Sequence, residues 1–219
     1  MKVLIVTYFF PPVNKIGAVR LGKTAKYLRR LGHDVHVLTA SDDRLLKGLD
    51  VEVPVETVTS TKSGYWWHIF SRSKMNRGTR ELSSSAAGLT RAKAARGWFS
   101  TVRRLAQDMA FIPDRHAGWI PFALIAGSEI CRRWQPDVIL ASGLPFSALV
   151  VASVLARRHN VPWVAEFRDL WTGNHYIERA RWRRLVDDRI EATVLKSAAG
   201  VIAATEPMAQ HLQSQYQGP

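Results

Sequence analysis

The sequence has a single cysteine, Cys131, and so can form neither an intrachain disulfide nor a multi-cysteine metal site. Long apolar runs are missing too. The longest candidate, Pro145 to Ala156, covers 12 residues and is interrupted by Ser147 and Ser153, whereas a membrane span needs about 20. No signal-peptide pattern opens the chain, because the apolar stretch after Met1-Lys2 ends at Thr7. Gly-x-Gly-x-x-Gly, Gly-Lys-Ser/Thr and Gly-x-Ser-x-Gly motifs are all lacking, which disfavours dinucleotide, P-loop and serine-hydrolase chemistry. Histidine offers no metal pattern either, since His33 and His36 straddle a turn and a strand. Acidic residues are scarce, with 18 Asp+Glu against 31 Lys+Arg and a net charge of +13. That imbalance points to an anionic partner: nucleic acid, an acidic membrane surface or phosphorylated substrates.

What is present is enough for a core. Of the 219 residues, 47% are hydrophobic and 22% charged, which suits one large domain. Residues 2–7 form a short apolar run rich in β-branched residues, the pattern of a strand buried on both faces. After the Pro11-Pro12 loop and Gly17, the positions Ala18, Leu21, Ala25, Leu28 and Leu31 share one helical stripe, and Gly32 is placed to end that helix. Residues 35–39 read as the next strand, completing a βαβ unit. Further strands are expected within 51–58 (one or two, around Pro54), at 137–140, 161–166 and 201–204. Helices are expected near 92–110, 118–134, 145–159 (Pro145 in the first turn, Asn160 as left-handed cap), 179–198 and from 206. Trp182, Leu185, Val186, Ile190 and Val194 line the predicted inner face of the helix at 179–198. Strands alternating with helices imply an α/β fold, an open parallel sheet with helices on both faces. Ligands of such sheets sit at the carboxyl ends of strands. That rule selects the loops at 8–17, 141–145, 167–174 and 204–206.

The first of these loops is a natural anion cradle. Gly17 precedes a helix N-terminus, with Asn14, Lys15 and Arg20 beside it. Ser142 and Gly143 follow the strand at 137–140, and Glu206 opens the last helix. In Glu166-Phe167-Arg168-Asp169, with Trp171 and Asn174 following, a carboxylate beside an arginine can act as base, orienter or hydroxyl ligand, or form an ion pair that fixes the loop. Asp169 is the better candidate, because Glu166 ends an apolar strand and can serve as partner to Arg168. Cys131 lies in an amphipathic helix and reads as a packed thiol.

These residues together resemble a family. Residues 2–12, Gly17 and Leu28-x-x-Leu31-Gly32-His33-Asp34-Val35 are similar to the opening of a family 4 glycosyltransferase. Pro136-Asp137-Val138-Ile139, Glu166-Phe167-Arg168-Asp169-Leu170-Trp171-Thr172 and Gly200-Val201-Ile202-Ala203-Ala204-Thr205-Glu206-Pro207 match later landmarks of its N-terminal domain. The resemblance covers nearly the whole chain outside 60–100. It implies a Rossmann-like sheet, the acceptor-side N-terminal half of a GT-B fold. It further implies a retaining, metal-independent enzyme with no cofactor, whose donor substrate is a nucleotide sugar. The acceptor is expected to be a glycan or lipid-linked molecule in surface polysaccharide synthesis. Residues 1–219 then form one domain with a basic irregular insertion at about 60–115, and the C-terminal donor domain is absent, to be supplied in cis or trans. One departure is Ile16, which stands where the family often has the first of two glycines.

On this reading Asp169 is the catalytic candidate, contacting or activating an acceptor hydroxyl. Asn14, Lys15, Gly17, Arg20, Ser142, Gly143, Arg168, Asn174 and Glu206 bind substrate. The alternative is a non-catalytic carbohydrate- or partner-binding module of the same fold. Specific nucleic-acid binding is not expected, because the positive charge gathers in the insertion and no helix-turn-helix or aromatic ribonucleoprotein motif occurs. From Lys62 to Arg115 there are 11 Lys+Arg and 3 Asp+Glu, a net +8, interleaved with Trp66, Trp67, Phe70, Trp98, Phe99 and Phe111. That mixture suits the headgroup layer of an anionic membrane. The expected location is cytoplasmic, peripheral at the inner face of the membrane.

Overall fold

The computed structural model describes residues 1–64, 109, 111–173 and 180–216. The chain divides into two compact units, Met1–Gly64 with Pro113–Pro219, and Tyr65–Ile112; the elements below belong to the first. Nearly all of the helix expected near 92–110 lies outside the described residues, as do Trp66, Trp67, Phe70, Trp98 and Phe99.

Six strands form one sheet: β1 (Lys2–Val6), β2 (Asp34–Ser41), β3 (Val58–Lys62), β4 (Val138–Ser142), β5 (Trp163–Phe167) and β6 (Gly200–Ala203). Their order is β3-β2-β1-β4-β5-β6, and every ladder is parallel. The Rossmann-like α/β architecture read from the sequence is present. Alternation along β1 sends Leu4 and Val6 into a cluster with Leu38, Ile139, Ala141 and Leu155. Val3 and Ile5 enter a second cluster, with Leu21, Ala25, Val35 and Val37. Burying each such aliphatic side chain contributes about 1.5–3 kcal/mol, which is why β1 takes the centre of the sheet.

The helices are α1 (Ile16–Arg30), α2 (Ile120–Trp134), α3 (Ser147–His159), α4 (Arg181–Lys196) and α5 (Glu206–Tyr216). Helix α1 buries the expected Ala18, Leu21 and Ala25. It ends where Gly32 takes φ +83° and donates its N–H to Arg29 O, while the His33 N–H reaches Leu28 O. Asn160 caps α3 with φ 53°, its N–H bonded to Ala156 O. Helix α2 packs closely on α3: a Cβ on Gly127 would stand 2.5 Å from Leu155 Cδ1. Cys131 is buried in α2, and burial pushes its thiol pKa up to about 11.

Three details differ from the sequence reading. The strands expected around Pro54 are a 3-10 turn, Val55–Thr57, followed by β3 alone; proline has no N–H to give a ladder. Pro145 precedes α3 rather than entering its first turn. In α4 the inner face carries charge. Leu185 is 62% exposed, whereas Asp187 and Glu191 are buried beside Val194 and Leu195. Arg183 Nε holds Asp187 Oδ2 at 2.9 Å, and Thr172 Oγ1 donates to Glu191 Oε2.

Candidate functional site

Strand β1 leads through α1 to β2 on one side of it, while β4 lies on the other side and leads through α3 to β5. The strand order therefore reverses between β1 and β4. At such a switch point the loops leaving the two carboxyl ends diverge and open a crevice. Here those loops are residues 7–15 and 143–146.

One wall of the crevice is cationic. The Arg168 guanidinium donates from Nε (2.9 Å) and Nη2 (2.7 Å) to Gly143 O, and from Nη2 to Leu144 O. Its other edge lies over Gly17, where an added Cβ would stand 2.5 Å from Nη1. Gly17 thus leaves room for the guanidinium at its observed place over the helix N-terminus, and a side chain there would push the arginine aside. Glu166 is buried and pairs with Arg20 (Oε1 to Nη2, 2.8 Å) rather than with Arg168. Burial lowers the Arg168 pKa and nearby Arg20 acts in the same direction, against the pull of Glu166 and Asp169. A guanidinium nevertheless stays charged at neutral pH. Among the described residues Arg168 hydrogen-bonds only to neutral carbonyls, which leaves its charge for an anion. Gly143 N–H donates to Glu166 O at 2.8 Å, and buried Ser142 Oγ has no hydrogen-bond partner among the described residues.

The other wall is polar and aromatic. Asp114 Oδ1 accepts the His116 backbone N–H (2.7 Å) and Ser147 Oγ–H (2.8 Å), and Oδ2 accepts the Ser147 N–H (2.8 Å). His116 Nδ1 lies 3.5 Å from Asp114 Oδ1. Burial alone would raise the Asp114 pKa, but hydrogen bonds from His116 and Ser147, with the charge of His116, outweigh it and hold the carboxyl below its ordinary value. The His116 ring stands 4.3 Å from the Tyr8 ring and 5.5 Å from that of Phe9. Tyr8 is fixed in turn by its hydroxyl, 2.8 Å from Ser63 Oγ.

The structure brings Gly17, Arg20, Ser142, Gly143 and Arg168 together at the switch point. Asn14 and Lys15 are exposed on the loop leading to α1, the Asn14 N–H bonded to Leu46 O. Asp169 is exposed on the loop after β5 and acts on Arg168 through its charge. Glu206 lies apart, beyond edge strand β6, accepting from Gln210 Nε2 at 3.2 Å. Asn174 falls outside the described residues. Asp114, His116 and Ser147 were missed; an Asp-x-His pair just ahead of a helix was the available signal. Beside the crevice, a cavity of about 220 Å³ is lined by Phe10, Val13, Ala40, Asp42, Lys47 and Val58.

The family model of the glycosyl transferase 4-like domain matches residues 17–219. The chain belongs to this family. The glycosyl transferase 4-like domain described here also matches a Listeria monocytogenes protein assigned as a UDP-N-acetylglucosamine 2-epimerase. The TM-score is 0.50 at 13% identity, over 100% of this chain and 43% of that one. Matches to the Neisseria meningitidis UDP-GlcNAc 2-epimerase bound to UDP-GlcNAc (TM-score 0.49, 14% identity, 98% and 43% covered) and to the glycosyltransferase SnogD of Streptomyces nogalater (0.43, 18%, 97% and 48%) are lower. The domain spans less than half the length of these three proteins. No curated protein matches its sequence. Fold and family are those of the N-terminal domain of a family 4 GT-B enzyme. No helix among the described residues is long and apolar enough to cross a membrane.

Proposed function

We propose that the domain is the acceptor-side half of a glycosyltransferase that moves a sugar from a nucleotide diphosphate sugar to a glycan or lipid-linked acceptor in surface polysaccharide synthesis. Family membership supports sugar transfer. The observation that carries the reading is the Arg168 guanidinium laid over Gly17 at the switch point, a half-buried cation whose hydrogen-bond partners among the described residues are carbonyls. A donor diphosphate against this wall would meet Arg168, Arg20 and the free N–H groups of α1. Asp169, on the rim, is assigned to the acceptor hydroxyl. Retention of configuration, independence of metal and a cytoplasmic, membrane-peripheral location follow from the family resemblance and the basic segment.

The assignment divides the work between two halves, so the 219-residue chain alone should turn over poorly and its union with a cognate donor-binding half should restore transfer. Nucleoside diphosphate release from UDP- and dTDP-hexoses measures both. Ordinary enzymatic rates from the chain alone sink the half-enzyme reading. No transfer by the joined protein favours a non-catalytic binding module.

A further inference from the structure

We propose that His116 receives an acceptor hydroxyl next to the attacking one, with Asp114 as its positioning residue. This rests on the sugar-transfer reading above and adds a second polar contact to that assigned to Asp169. Capping alone does not account for the arrangement. The Asp114 carboxylate already satisfies the Ser147 N–H and Oγ–H at the start of α3, and the His116 backbone N–H. None of these bonds requires an imidazole at position 116. Yet the ring is turned with Nδ1 toward Asp114 Oδ1, at 3.5 Å, and is braced by Tyr8 and Phe9 at the carboxyl end of β1. Its side chain is 32% exposed, and its Nε2 makes no hydrogen bond within the described chain.

A carboxylate facing Nδ1 favours the tautomer with the proton there, which leaves Nε2 a lone pair for a ligand O–H. The aromatic rings beside it offer apolar surface to the C–H face of a sugar. Among the described residues, Asp114, on its own loop, and Tyr8, after β1, face the ring, and Arg183 Nη2 donates to Pro113 O of that loop at 2.9 Å.

The test uses nucleoside diphosphate release by the joined protein, with UDP- and dTDP-hexoses as donors and a solubilised lipid-linked glycan fraction as acceptor. His116→Ala should raise the acceptor KM about tenfold, the loss of one good hydrogen bond, and leave the donor KM within twofold. His116→Gln should recover part of that loss. Asp114→Asn should keep the fold and release the preference for Nδ1 as the protonated nitrogen of neutral His116. Imidazole ¹⁵N resonances of the 219-residue chain should show the proton of neutral His116 on Nδ1. A proton on Nε2, or an acceptor KM within twofold of wild type in a folded His116→Ala protein, overturns the role of His116 while sugar transfer stands. Absence of any transfer by the wild-type joined protein overturns both.

Discussion

Arg168 spans two pieces of backbone that arrive from different parts of the chain: the Gly143-Leu144 loop through its carbonyls, and Gly17 through close contact. Its replacement by alanine should weaken uridine diphosphate binding at least about tenfold by calorimetry, the worth of a charge-assisted bond. Lysine should not restore it, because a single ammonium cannot form the planar fork. Asp169→Asn should cut turnover by about two orders of magnitude if the carboxylate takes the hydroxyl proton; a loss below tenfold in a folded protein would leave it a loop residue. Asp114 links the site to stability. Its carboxyl is held below its ordinary value in the folded chain, so its contribution is complete above the unfolded value of about 4 and is lost as pH falls through the folded one. Urea midpoints of wild type and Asp114→Asn should therefore differ at pH 6, and the difference should shrink as pH falls below about 4. Gly17 and Arg168 were legible because Gly17 stands in the first turn of the helix after β1 and Arg168 opens the loop after β5. Asp114, His116 and Ser147 were not: an Asp-x-His pair ahead of a helix was the one local signal, and the carboxylate meets its serine across 33 residues.

Among the elements, α1 was read closely and α4 was not, for one physical reason. Apolar periodicity locates a buried face only when apolar residues fill it. Helix α1 does so with Ala18, Leu21 and Ala25, whereas α4 buries Asp187 and Glu191 and satisfies them with Arg183 and Thr172. The hydrophobic spacing found part of that face, Ile190 and Val194, but added Leu185, which is exposed. The α2–α3 contact gives a sharper expectation. Gly127→Ala would drive a methyl against Leu155 Cδ1 and Leu38 Cδ2, both side chains fully buried, so the helices must separate. The cost should be about 1–3 kcal/mol in urea unfolding, with the switch-point residues still able to bind uridine diphosphate. An unchanged midpoint would show that the leucines move aside freely.

For the whole molecule, the alternation of strands and helices disclosed a parallel sheet, but strand order is a long-range property and only the fold places β1 between β2 and β4. The net charge has its own test. The segment from Lys62 to Arg115 carries +8, and sedimentation with vesicles should rise with anionic lipid fraction and fall as salt screens it. Equal recovery with neutral and anionic vesicles removes membrane docking. The centrality of β1 also has a consequence in time. Its first residue donates its backbone N–H to Asp137 Oδ2 at 2.7 Å, across 135 residues, and Val6 pairs with Ala141. On a ribosome, the first strand made must wait for β4, a delay on the order of ten seconds at ordinary elongation rates. During that interval an apolar strand has one of its two ladders unfilled, so nascent chains stopped short of β4 should be the ones that aggregate or recruit chaperones.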